Sequence, residues 1–200
     1  IGARRLTVGD RFDVTLTVTA NRSGFFTNTV NVLANEADIG SSNNAASAVT
    51  AVTVRMPSYT KNEIIALEEI VGGPAVPYPS TITVSGLTGT VYKVTVVISN
   101  LSHTFPDDVD VLLVGPSGHS VVLMSDAGGL NPVNGVSLTF DDAAAQPLPD
   151  FDQIVSGTYT PTDYGPTSTN VSTADNFAAP APPRPWGTNL AVFNGSDPNG

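Results

Sequence analysis

Valine and threonine alternate along much of this chain, and that period of two constrains its fold more than any other feature. Val14, Leu16 and Val18 alternate with Thr15, Thr17 and Thr19. Successive side chains of a strand point to opposite faces, so this pattern predicts a half-buried strand. Val30 and Val32 flank Asn31 in a second candidate, and 48–54 is a third. Turn-prone stretches at 21–24 and 40–44 separate them. The charged share is only 13%, about half of the ordinary 25%. Thr, Ser, Asn and Gly take the place of charge, which suits strands and turns rather than exposed helix faces.

Met56-Pro57-Ser58 interrupts the pattern, because Pro57 has no backbone donor and biases Met56 toward extended geometry. The expected organisation is a first domain at 1–55, a linker at 56–61 and a second domain at 62–200. A mixed segment at 62–71 reads as strand. Segments 81–85 and 90–99 flank Gly86-Leu87-Thr88-Gly89, a tight connection. The nearly continuous apolar run 109–114 predicts a strand buried on both faces. Gly115-Pro116-Ser117-Gly118 turns the chain, so 121–124 returns antiparallel. Further strands are expected at 136–140 and 190–193, with a brief helical turn at 143–145. The stretch 147–186 reads as loop, ending in closely spaced prolines.

Two family resemblances follow from local motifs. Val8-Gly9, Val14 to Val18, Thr27-Asn28-Thr29-Val30 and Asn43-Asn44-Ala45-Ala46 make residues 6–54 similar to the C-terminal half of DUF11-type bacterial immunoglobulin-like surface repeats. Ser102-His103-Thr104-Phe105-Pro106-Asp107-Asp108-Val109-Asp110, Leu112 to Gly118, Ser125 to Gly129, Leu138 to Ala144, Phe193-Asn194-Gly195 and Pro198-Asn199-Gly200 make residues 62–200 resemble the P domain, or homo B domain, of kexin-like and other subtilisin-family proproteins. The fold class expected from the pattern and the resemblances together is all-β: a partial immunoglobulin-like sandwich followed by a P-domain-like jelly-roll β-sandwich, truncated at its C-terminus. Such P domains are non-catalytic companions of a protease or spare modules of bacterial surface proteins. Ile1 in place of Met suggests a piece of a longer reading frame, with exposed strand edges at both ends.

The chain carries 18 Asp and Glu against 8 Lys and Arg, a net charge of −10. That disfavours nucleic acid and anionic lipid as partners, both of which require clustered cations. No apolar run approaches the roughly 18 residues of a membrane span. With no cysteine, disulfides contribute nothing.

Candidate chemistry is sparse. The two histidines are His103 and His119. His103 reads as a hydrogen-bonded packing residue. Ser117 is close to His119, but the Gly-x-Ser-x-Gly spacing of a nucleophile elbow is absent, and no subtilisin-type Asp, His or Ser segment occurs. The expectation is therefore a non-enzyme. The carboxylates are the candidate site: Asp107, Asp108, Asp110, Asp126, Asp141 and Asp142 sit at strand ends that a jelly-roll can bring to one rim. Calcium seeks six to eight hard oxygens, so these acids are candidate Ca²⁺ ligands. The competing reading makes them solvated turn acids. The acidic run at 35–38 reads as surface. Tyr78, Tyr92, Tyr159, Tyr164 and Trp186 raise a carbohydrate-binding alternative, against which they read as core or loop anchors. Sequons at Asn21, Asn100, Asn170 and Asn194 are expected by chance.

The leading expectation is a structural or interaction module of an extracellular bacterial protein, secreted or on the cell surface. It would stabilise or present neighbouring domains of the same polypeptide, or meet other surface proteins or glycans. The alternatives are an accessory domain of a subtilisin-like serine endopeptidase and a carbohydrate-binding module.

Overall fold

The computed structural model describes residues 13, 15–18, 20, 22–33, 37, 39–54, 56–67, 72–165 and 176–200. The predicted positions Val14 and Thr19, the acidic run at 35–38 apart from Ala37, the end of the mixed segment at 68–71, and Asn21 and Asn170 lie outside them. The chain divides into two compact units, Ile1–Pro57 and Ser58–Gly200, and the described residues are all-β.

The first unit holds an antiparallel pair, β1 (Gly24–Asn31) and β2 (Ala45–Val52), joined through a 3₁₀ turn at Ser41–Asn43. Eight residue pairs run from Gly24 opposite Val52 to Asn31 opposite Ala45 without a register shift. Cross-strand hydroxyls bond at Thr29 and Ser47, 2.8 Å apart. Residues 15–18 lie outside any strand, and Leu16 and Val18 are exposed, so the half-buried strand read from their alternation is corrected. Period two fixes which residues share a face, but not whether anything covers that face.

Among the described residues, the second unit contains two three-stranded sheets. One has the order β3 (Val96–His103), β6 (Val133–Phe140), β7 (Gly157–Tyr159). The other is β4 (Val111–Val114), β5 (Ser120–Ser125), β8 (Thr162–Asp163). Leu101, Val133, Leu138, Phe140 and Tyr159 of the first sheet join Val121, Leu123 and Met124 of the second in one core, with Leu148, Ile154, Leu190 and Phe193 from the connections. This is sandwich packing: each sheet buries one face on the other.

β3 and β6 are antiparallel with register shifts. At one shift Asn100 takes φ 58° and the facing Gly135 takes φ 66°. The extra residue lets both Ile98 and Leu101 turn inward, as a β-bulge does.

Several expectations are revised by the tertiary structure. The apolar run 109–114 is not buried on both faces. β4 begins at Val111, lies at the edge of its sheet, and leaves Val114 45% exposed. The strand buried on both faces is the central one, β5, where Val121 to Ser125 are all buried. The segments 81–85 and 90–99 do not pair with each other. Val84 exchanges backbone bonds with Gly200, and Val91 bonds to Ser196 and Gly195. Residues 195–200 are thus bonded to the segment 84–91. Residues 190–193 form a 3₁₀ turn rather than a strand. The supposed loop 147–186 supplies β7 and β8, which add in parallel to β6 and β5. At 143–145 the chain makes a turn closed by Ala144 N to Asp141 O, not a helix. Among the described residues no helix is long and apolar enough to cross a membrane.

Candidate functional site

The six predicted acids fall into three groups. Asp107 and Asp108 lie in a 3₁₀ turn, Pro106–Asp108, opened by the buried Pro106. Because this turn precedes β4, Asp108 and Asp110 do not share a strand face. Asp110 follows the turn and meets Asp126 across Ser125. The Ser125 hydroxyl lies 2.8 Å from Asp110 Oδ1 and 3.1 Å from Asp126 Oδ2, offering its one proton between them. Asp126 sits at φ 50°, a left-handed conformation that Asp tolerates better than most residues.

Asp141 and Asp142 are engaged elsewhere. Asp141 accepts from Lys93 Nζ at 2.6 Å and from the Ala143 amide at 2.9 Å. The Lys93 hydrogen bond first, and the Ala143 amide second, hold the Asp141 carboxyl below the usual carboxylate range. Asp142 accepts from the Leu190 amide at 2.9 Å and the Ala191 amide at 2.8 Å. It thereby pins the 3₁₀ turn that carries buried Leu190 and Phe193 into the core. Of the predicted ligands, Asp110 and Asp126 are the pair brought to one point. With Ser125 they supply fewer oxygens than the six to eight that calcium takes. Among the described residues no group of three or more His, Asp or Glu side chains is arranged around a common point.

His103 is buried, its Nδ1 lying 2.7 Å from the Phe105 carbonyl and 3.2 Å from its amide. It locks the approach to the Pro106 turn. Ser117 Oγ lies 2.9 Å from His119 Nδ1 on the exposed β4–β5 turn, which is closed by Gly118 N to Gly115 O and Gly115 N to His119 O. Among the described residues no carboxylate bonds that ring, so the orienting acid of a triad is not in place there. A cavity of about 400 Å³ beside His119 is walled by Pro182, Pro183, Pro185, Asn189 and Val192.

The aromatic residues tie loops down. Tyr78 OH donates to Ala178 O at 2.6 Å, Tyr159 OH to Val155 O at 2.9 Å, and Tyr164 OH to Leu148 O at 2.7 Å. Burial first, then the nearby Asp150 charge, push the Tyr164 phenol above its ordinary value. Trp186 Nε1 donates to Pro182 O at 2.9 Å, while Phe177 stacks edge-on against its ring at 5.0 Å and Arg184 lies 4.5 Å over it. Such rings are loop anchors with their polar ends satisfied. Tyr92 is the exception: it is 54% exposed.

The feature that sequence reasoning missed is a cleft of about 470 Å³ lined by Asp107, Gly129, Leu130, Asn131 and Phe151. Its frame is rigidly bonded. Asn131 Nδ2 donates to Gly128 O at 3.1 Å and to Phe151 O at 2.7 Å, and Gly128 N donates to Pro149 O at 2.8 Å. Gly128, at φ +87°, is required here: a Cβ would stand 2.7 Å from Ile154 Cδ1 and 3.0 Å from Pro106 Cγ. The Gly128-Gly129 pair was the visible signal, but only the loop 149–153, distant in sequence, completes the cleft.

Comparison with protein-family models, with curated proteins and with solved structures finds no match.

Proposed function

We propose that this chain is a non-catalytic structural and interaction module of an extracellular protein, which stabilises or presents a neighbouring domain. The observation that carries this reading is where the reactive side chains are spent. Asp141, Asp142, Tyr78 and Tyr164 each fasten one loop to a distant segment, and Tyr159 and Trp186 each bond a carbonyl four residues back. Catalytic groups converge on one reacting point; these are spread over the unit as fasteners. The P-domain resemblance of residues 62–200 supports the same assignment. Calcium would act within it as a further fastener, at Asp110 and Asp126.

Two measurements test the proposal. Removing residues 58–200 from the parent polypeptide is expected to lower the melting temperature of its neighbouring domain; no change would count against the reading. The enzyme reading has one specific contact to rest on, Ser117 with His119. Hydrolysis of p-nitrophenyl acetate that disappears in Ser117→Ala would overturn the non-catalytic assignment.

A further inference from the structure

The cleft at Asp107 differs from the other acidic positions because it combines an unpaired charge with exposed apolar walls. Leu130 is 77% exposed and Phe151 78% exposed, side by side on the cleft. Single exposed apolar residues are ordinary; here two line one concave site. Asp107 is half-buried, and its carboxylate has no hydrogen-bond or ion-pair partner among the described residues. Its oxygens reach solvent, so the charge is open to an incoming donor or cation.

Within the unit Ser58–Gly200 no basic side chain pairs with Asp107. The unit Ser58–Gly200 contains three basic residues, Lys61, Lys93 and Arg184. Lys61 pairs with Glu63, Lys93 with Asp141, and Arg184 lies over Trp186. A cation that pairs with Asp107 would therefore come from outside the unit.

The chemistry of the walls narrows the source. A hard metal ion needs several oxygens, and one carboxylate between a Leu and a Phe is a poor cage. A sugar needs several polar groups to fix its hydroxyls, but both donors of Asn131 are already spent on Gly128 O and Phe151 O. A guanidinium fits: its planar fork meets a carboxylate with two parallel hydrogen bonds. Its face is attracted to an aromatic ring, and its methylene stem lies along apolar surface.

We propose that the cleft formed by Asp107, Leu130 and Phe151 is a docking site for an arginine side chain of an extended partner polypeptide. This rests on the interaction-module reading and names its contact surface. Asp107 takes the charge, Phe151 the guanidinium face, and Leu130 the stem. The cleft is preorganised, because the Asn131 bonds and the close approach of Gly128 to Ile154 and Pro106 hold its floor before any partner arrives.

The test uses the ¹⁵N-labelled chain in 0.15 M NaCl, titrated with the peptide acetyl-Ala-Leu-Arg-Leu-Ala-amide. Its counterpart carries citrulline, which keeps the shape of arginine and removes the charge. Saturable amide shifts are expected at Gly129, Leu130 and Asn131, with the citrulline peptide binding about tenfold or more weakly, as befits loss of a charged bidentate pair. Asp107→Asn should abolish the preference for arginine, and Phe151→Ala should weaken both peptides. Neither side chain is used in the core, so both variants should keep the remaining amide spectrum. Equal affinity for the two peptides, no shifts at these amides up to about 10 mM, or a preference that survives in Asp107→Asn would overturn the proposal. So would chitotriose moving the same amides at lower concentration than the arginine peptide. These results leave the module reading standing, because that reading fails on the parent-deletion and ester-hydrolysis measurements instead.

Discussion

Replacing Asp142 with alanine isolates a single side chain that fastens the C-terminal segment to the chain just after β6. Its carboxylate accepts from two amides 48 and 49 residues away, at Leu190 and Ala191. The two bonds differ in worth. The Ala191 amide is exposed and keeps a second acceptor, Asn189 Oδ1 at 2.9 Å, so water and Asn189 replace the loss. The Leu190 amide is partly buried and loses its partner. A charge-assisted bond of that kind, lost with a donor left unsatisfied, costs about 1–2 kcal/mol. If the turn came away altogether, Leu190 and Phe193 would be exposed, at about 1.5–3 kcal/mol each. The smaller figure should hold, because Asn189 still caps the turn and Gly195 and Ser196 remain bonded to Val91. Calorimetry of Asp142→Ala should then show the transition of this unit roughly 2–8 °C lower. A melting temperature unchanged within a degree would mean that water serves the Leu190 amide as well as the carboxylate does. The view of Asp142 as a fastener would then be wrong.

Gly128→Ala should be more costly, about 2–4 kcal/mol, because the new Cβ enters both a positive-φ site and the space of Ile154 and Pro106; a urea midpoint equal to the parent's would refute the close-approach account. Lys93→Met should lower stability at pH 7 by less than about 1 kcal/mol, since Lys93 is 36% exposed and solvent screens the pair. The sign with pH follows from Asp141, whose folded carboxyl is depressed: its contribution is present above the unfolded carboxyl range and is lost as pH falls through the lower folded value. The gap between the parent and Lys93→Met should therefore hold from pH 7 down to the ordinary carboxyl range near 3.8 and narrow as pH falls further below it, and a gap that does not narrow there would assign the loss to packing of the lysine stem.

Particular elements show how much could be read in advance. The turn Gly115-Pro116-Ser117-Gly118 and the antiparallel return of 121–124 were legible, because a tight turn between two apolar runs is a local signal. So was the strand at 136–140, which lies inside β6. β7 and β8 were not legible. They have three and two residues, and they exist only because β6 and β5 offer edges in the right place. The 190–193 segment has a strand's composition, but Asp142 and Asn189 reach its amides first and fold it into a 3₁₀ turn.

The amino-acid sequence alone determined the all-β character, the acidic charge with few basic residues, and which side chains alternate between faces. These depend on neighbours one or two residues apart. The tertiary structure decided which strand is central, which carboxylates are fasteners, and which one is left facing a cleft. Asp107, Asp141 and Asp142 are alike in local sequence; they differ in surroundings, since Asp107 shares a cleft with Phe151 while Asp141 meets Lys93 and Asp142 the Leu190 amide. Burial and hydrogen-bond satisfaction depend on contacts tens of residues away, and no local pattern encodes them.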